Sequence, residues 1–195
     1  MLSSMYWRIR KRSGLSERFL GPDIMMIDNA YHIKTAGTEA HTGWHRDAKV
    51  WAFDETNWSE DDRSRWEKTR LCEVPHYKIK VFVFVNDVDE TTGPFSVVPG
   101  THRVDDPAPK LEDLESMPNH AKLTGSAGSA AIWNGRIWHT ALNNRDTKAR
   151  RMLLYNYTHF GDKQYEECVP RGDFRKRMIA ERSPKCLQLL GIKRA

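Results

Sequence analysis

Gly43-Trp44-His45-Arg46-Asp47-Ala48-Lys49-Val50-Trp51 is the stretch that decides how the chain is read. As a strand it puts side chains two apart on one face, so His45 and Asp47 project together while Arg46 points away. An imidazole nitrogen beside a carboxylate oxygen supplies two of the three protein ligands of a 2-His-1-carboxylate site. Such a site holds iron(II) from one side and leaves positions open on the other. A His-x-Asp pair alone is weak, because among 195 residues with 8 histidines one such pair arises by chance about as often as not. The rest of the chain must supply a second histidine and a scaffold that brings it alongside.

Downstream, residues 78–88 read as the clearest strand. Ile79, Val81, Val83 and Val85 alternate with Phe82, Phe84 and Asn86, and two apolar faces imply burial on both sides. Phe95-Ser96-Val97-Val98 is a short strand ended by Pro99-Gly100, and residues 104–119, with three prolines and many acids, read as a surface loop. Ala130-Ala131-Ile132-Trp133 is followed by Asn134-Gly135, the strongest two-residue hairpin signal, which returns the chain along residues 136–142. Residues 150–159 form a last strand rich in Leu and Tyr. Upstream, residues 23–34 read as a strand in which Ile24, Met26, Ala30 and Ile33 alternate imperfectly.

Many short strands with regular turn signals predict a mainly β fold, a double-stranded β-helix (jelly-roll or cupin-like) core with flanking helices. The expected division is one domain over 1–195. An N-terminal helix covers 1–20, the jelly-roll core 23–160 with a helical insertion at about 57–72, and a C-terminal helix 173–190 with a break at Pro184.

The second histidine is then His139, 94 residues after His45 on a strand that a rolled-up sheet can lay beside the first. Arg150 opens the next strand 11 residues later, where a guanidinium can grip a distal carboxylate in a bidentate fork. A 2-oxo diacid could chelate iron at one end and meet Arg150 at the other.

The totals set bounds. Lys and Arg number 31 against 26 acids, a net charge of +5 that suits an anionic small-molecule substrate and does not by itself call for nucleic acid. No run approaches a membrane span. Three scattered cysteines, Cys72, Cys168 and Cys186, make neither a disulfide framework nor a zinc site, so a reducing compartment, the cytoplasm, is expected. The Arg- and Ser-rich first twenty residues superficially look like a mitochondrial transit peptide, but read more readily as an amphipathic helix.

Taken together, Trp44-His45-x-Asp47, the Gly93-Pro94-x-Ser96-x-x-Pro99-Gly100-Thr101-His102-Arg103 segment, and Trp138-His139 with Asn144 and Arg150 resemble the phytanoyl-CoA dioxygenase family. The likeness runs over roughly residues 18–191 and takes in Lys34. It implies an iron(II)- and 2-oxoglutarate-dependent dioxygenase, using dioxygen and aided by ascorbate as reductant, that hydroxylates a small molecule and releases succinate and CO2. In that frame His45, Asp47 and His139 are the metal ligands and Arg150 binds the distal carboxylate of 2-oxoglutarate. Asn144, counted with the cosubstrate-binding residues, occupies a family position that shapes the loop before Arg150, and His32 lies where related enzymes place a polar side chain near 2-oxoglutarate. Apart from the resemblance, Trp51 and Trp44 are candidates for the substrate pocket. The carboxylate of Asp47 argues for hydroxylation over halogenation, since related halogenases leave that position without one.

Two departures stand out. Only 44 residues precede His45, so the portion covering the substrate is expected to be reduced or supplied by a partner. The small hydroxyl residue often found two after the second histidine is Ala141. The competing readings are a metal-binding cupin-like protein without 2-oxoglutarate turnover, which has no need of Arg150, and a basic surface module.

Overall fold

A computed structural model of the chain describes residue 16 and residues 18–47, 78–103, 106–159 and 172–192. The expected insertion at 57–72, Trp51 and most of the N-terminal helix lie outside them. Among the described residues there are seven strands: β1 (Ile24–Lys34), β2 (Ile79–Phe84), β3 (Phe95–Val98), β4 (Ala121–Leu123), β5 (Ala130–Asn134), β6 (Trp138–Ala141) and β7 (Arg150–His159). They form two antiparallel sheets, one ordered β1-β7-β2-β5 and the other β4-β3-β6.

Between the sheets, Phe82, Phe84, Trp133, Met152 and Leu154 of the larger sheet pack against Phe95 and Val97 of the smaller. The larger sheet's other face is covered by Leu20 and by two helices, α1 (Gly172–Ala180) and α2 (Pro184–Leu189), through Met178, Cys186 and Leu189 against Ile79, Val81, Tyr155 and Tyr157. Each fully buried aliphatic or aromatic side chain here contributes about 1.5–3 kcal/mol relative to exposure. The two apolar faces of β2 therefore meet two different layers, the sandwich interior and the helices. Val85, expected to continue that face, is exposed because β2 ends at Phe84.

The imperfect alternation of β1 has a structural cause. The register against β7 slips between Met26 and Asp28, so Ile27 is an extra residue, a β-bulge. Because side chains alternate with period two, one inserted residue exchanges the faces. Ile24 and Met26 face the helices, whereas Asp28, His32 and Lys34 face the space between the sheets. The bulge thus turns a packing strand into one that lines a cavity.

Two expectations are corrected. Asn134-Gly135 does not close a two-residue hairpin, since β5 pairs with β2 while β6 pairs with β3 in the other sheet. The turn is a four-residue one, with Ile137 N donating to Asn134 O at 3.0 Å and Arg136 N to Asn134 Oδ1 at 2.9 Å. The Asn chemistry is that of a turn; the long-range pairing decides where its arms go. The stretch around His45 is not a continuous strand among the described residues. His45 makes one isolated antiparallel bridge, to His139, and that single rung extends the smaller sheet. The short strand β4 was not anticipated, having only three residues, none of them fully buried.

Candidate metal centre

The bridge between His45 and His139 consists of two backbone bonds, His45 N to His139 O at 3.0 Å and His139 N to His45 O at 2.9 Å. It sets the two imidazoles side by side, ring centroids 4.4 Å apart. Asp47 is brought in by the turn after β5, where Gly135 accepts from Asp47 N at 3.2 Å while its own N–H donates to Lys78 O at 2.7 Å. The ligand atoms of His45, Asp47 and His139 all lie within 4.8 Å of one another. Asp47 Oδ1 is 3.4 Å from His45 Nε2 and 3.6 Å from His139 Nε2. Adjacent donors of a divalent ion with bonds of about 2.1 Å stand roughly 3 Å apart, so only a small contraction is needed.

The donor chemistry fits a metal. His45 Nδ1 is 2.8 Å from Gly43 O and His139 Nδ1 is 2.9 Å from Ile137 O. A carbonyl only accepts, so each Nδ1 carries the proton and each Nε2 keeps its lone pair. That carbonyl contact is the outer support metal-binding histidines ordinarily have. His139 is 1% exposed, and burial, helped by the nearby Lys80 charge, lowers its pKa to about 3, keeping the ring neutral.

A pH prediction follows from that shift. The native ring stays neutral down to about pH 3, whereas in the unfolded chain it protonates below 6.5. The unfolded state then binds more protons, so the metal-free protein loses stability as pH falls from 6.5 toward 3. The loss is on the order of a few kcal/mol. Above 6.5 the contribution is constant. Denaturant unfolding across this range is expected to show a shallower slope in His139→Asn.

The triad opens into a cavity of about 590 Å³ between the sheets, lined also by Asp28, His32, Lys34, Lys80, Arg150 and Asn156 with Phe82, Phe95 and Leu154. Arg150 is 3% exposed, lies with its guanidinium 4.4 Å from the Phe95 ring centroid, and donates through one terminal nitrogen to Gly93 O. Its Nε is buried with no hydrogen-bond partner. Gly93 is required there: its φ is +69°, and a Cβ would meet Asn144 N and Leu142 O at 2.9 Å. Directly across the sheet from Arg150 is Lys34, 7% exposed, whose pKa is lowered by burial and then by Arg150 itself. Two like charges facing each other on paired strands oppose folding, so this end of the cavity favours an anion.

The other sequence candidates separate. His32 lines the cavity, 6.4 Å from both the Phe82 and Phe95 rings. Asn144 does not line it. Its Nδ2 donates to Lys34 O, Thr35 O and Lys148 O, and its Oδ1 accepts from Asp146 N. The amide is used up in tying the end of β1 to the loop before Arg150, and Asn144 is absent from the cavity wall. Trp44 also points away. It is 6% exposed, packs with Val98 and Met117, and donates from Nε1 to Leu114 O. The backbone bends at Trp44, and the indole turns into this cluster and away from the triad. Thr140, fully buried, also faces away from the cavity and donates to Thr42 O, while Ala141 lines the cavity.

Lys34 and Lys80 are among the cavity residues to which sequence reasoning gave no role. The available signal was a lysine inside or ending an otherwise apolar strand.

The model of the family described as phytanoyl-CoA dioxygenase matches residues 7–152. L-proline trans-4-hydroxylase of Streptomyces griseoviridis is 24% identical over an alignment of 171 residues, covering 74% of this chain and 58% of that enzyme. Among solved structures, HygX from Streptomyces hygroscopicus with nickel and 2-oxoglutarate bound superposes with a TM-score of 0.61 at 11% identity, over 82% of this chain and 68% of that one. SnoN, the non-heme alpha ketoglutarate dependent epimerase from nogalamycin biosynthesis, gives 0.56 at 19% identity, over 82% and 59%. At these identities the superpositions establish the shared fold. The chain spans little more than half the length of the proline hydroxylase it matches.

Proposed function

The chain belongs to the phytanoyl-CoA dioxygenase family, and from that premise we propose that it is an iron(II)- and 2-oxoglutarate-dependent dioxygenase that hydroxylates a small molecule. One observation carries the reading. Two Nε2 lone pairs and a carboxylate oxygen converge on a cavity that is also lined by a buried, under-bonded arginine. A cupin that merely binds metal has no use for that arginine.

When bound, iron(II) with 2-oxoglutarate supplies the activation of dioxygen that oxidises the substrate, the oxoacid leaving as succinate and CO2. His45, Asp47 and His139 are the residues that would hold the metal. Arg150 offers a fork for the distal carboxylate of the oxoacid, with Lys34 adding a second positive charge across the strand pair. Phe95, stacked on the guanidinium, limits its rotation and keeps water from its face. His32, whose pKa is lowered by burial and by Arg150, is a neutral polar group on the same wall. Asp47 gives the site a full carboxylate, which supports hydroxylation over halogenation. The cations that line the cavity suit a substrate bearing an acidic group.

Purified protein given iron(II) and ascorbate in air is expected to convert 2-oxoglutarate to succinate, faster once its substrate is supplied. Iron-loaded protein that neither binds nor consumes 2-oxoglutarate would leave the metal-cupin reading in its place.

A further inference from the structure

Lys80 is the least expected residue in the interior. It is the second residue of β2, 5% exposed, with Phe82 and Trp133 ring centroids 5.4 and 5.9 Å from its ammonium. A buried ammonium costs several kcal/mol unless paired. Its partner is Asp47, whose Oδ2 accepts from Lys80 Nζ. Nζ is also 3.4 Å from His139 Nε2. The strand register places Lys80 in a row with Asn156, Asp28 and Trp133, so the sheet itself fixes where the ammonium stands.

The two oxygens of Asp47 therefore have separate tasks. Oδ1 faces the two histidine nitrogens and Oδ2 is on Lys80. A carboxylate that is 26% exposed and otherwise unheld turns readily about its last bond and can chelate an ion through both oxygens. Resting on the proposed metal centre, we infer that Lys80 is a positioning residue that holds Asp47 to a single metal bond. Three protein donors then leave three positions of an octahedral ion open, two for 2-oxoglutarate and one more. A chelating Asp47 would take one of them. Lys80 acts through Asp47 and touches no substrate in this role.

Manganese(II) tests this without turnover, because water bound directly to the ion accelerates solvent proton relaxation in proportion to the number of water molecules. In the metal-loaded protein without oxoacid, Lys80→Met is expected to lower the relaxivity per bound ion by about one third, from three inner waters to two. Methionine matches the lysine stem and suits the aromatic walls. Lys80→Ala, which removes the ammonium without adding bulk, is measured beside it and is expected to fall likewise, circular dichroism confirming that both fold. Unchanged relaxivity per bound ion in the folded variants overturns the role assigned to Lys80 and leaves the metal centre standing. A wild-type protein that binds no manganese(II) overturns the metal centre and this role with it.

Discussion

Replacing His139 with alanine is expected to abolish both tight metal binding and the formation of succinate from 2-oxoglutarate. Among the described residues His139 is one of three side chains that converge as candidate donors, and its ring is 1% exposed with Nδ1 fixed on Ile137 O, so its removal leaves two. Loss of an outer support typically costs roughly 10–100-fold in metal affinity or activity, and loss of a donor itself should exceed that range. The fold should survive, because the bridge to His45 is made by backbone atoms and persists with alanine at 139. Metal content after dialysis, succinate release and circular dichroism together make the check. A variant that keeps both metal and turnover would remove His139 from the site.

The second large effect is at Arg150, and it should be of a different kind. Arg150→Met removes the buried fork but leaves the three donor residues untouched, so metal binding is expected to persist while the KM for 2-oxoglutarate rises steeply. Truncating one member of a buried charge pair costs about 2–5 kcal/mol, which is roughly 30- to 4,000-fold. Arg150→Lys should rescue little, because a point charge cannot reproduce the two-pronged contact or the stacking on Phe95. Initial rates against 2-oxoglutarate concentration, beside metal content, separate this outcome from that at His139. Equal losses of metal and oxoacid binding in Arg150→Met would contradict the division of labour between the two ends of the cavity.

Local chemistry was legible in the sequence wherever a residue type carried its own meaning. His45 and Asp47 two apart, a distant His139 on another strand, and Arg150 opening the next one were enough to suggest both a metal and an oxoacid, and the two sheets around them are those of a jelly roll. Register was not legible. The bulge at Ile27 changes which residues of β1 face inward; the imperfect alternation marks an irregularity there, but within the apolar run from Ile24 to Ile27 it does not say which residue is the extra one. For the same reason Lys34 reads as a polar strand end and Lys80 as an interruption, until the pairings place both in one cavity. Asn134-Gly135 shows the converse. Its turn chemistry was read correctly, but the strands it joins are claimed by β2 and β3 in separate sheets, a choice made by side chains far away in sequence. Trp44, a pocket candidate by sequence, is packed instead with Val98 and Met117, a long-range contact that its own residue type does not specify.

The most direct test of the metal centre is optical and requires no substrate. Without oxygen, 2-oxoglutarate added to the iron(II)-loaded protein should produce a visible metal-to-ligand charge-transfer band, which arises only when the oxoacid chelates an iron that has two adjacent open positions. Wild type is expected to show the band, saturating with 2-oxoglutarate, and His139→Ala to show none. Iron(II)-loaded wild-type protein that stays colourless at saturating 2-oxoglutarate would contradict the assignment of His45, Asp47 and His139 as the seat of an oxoacid-dependent iron.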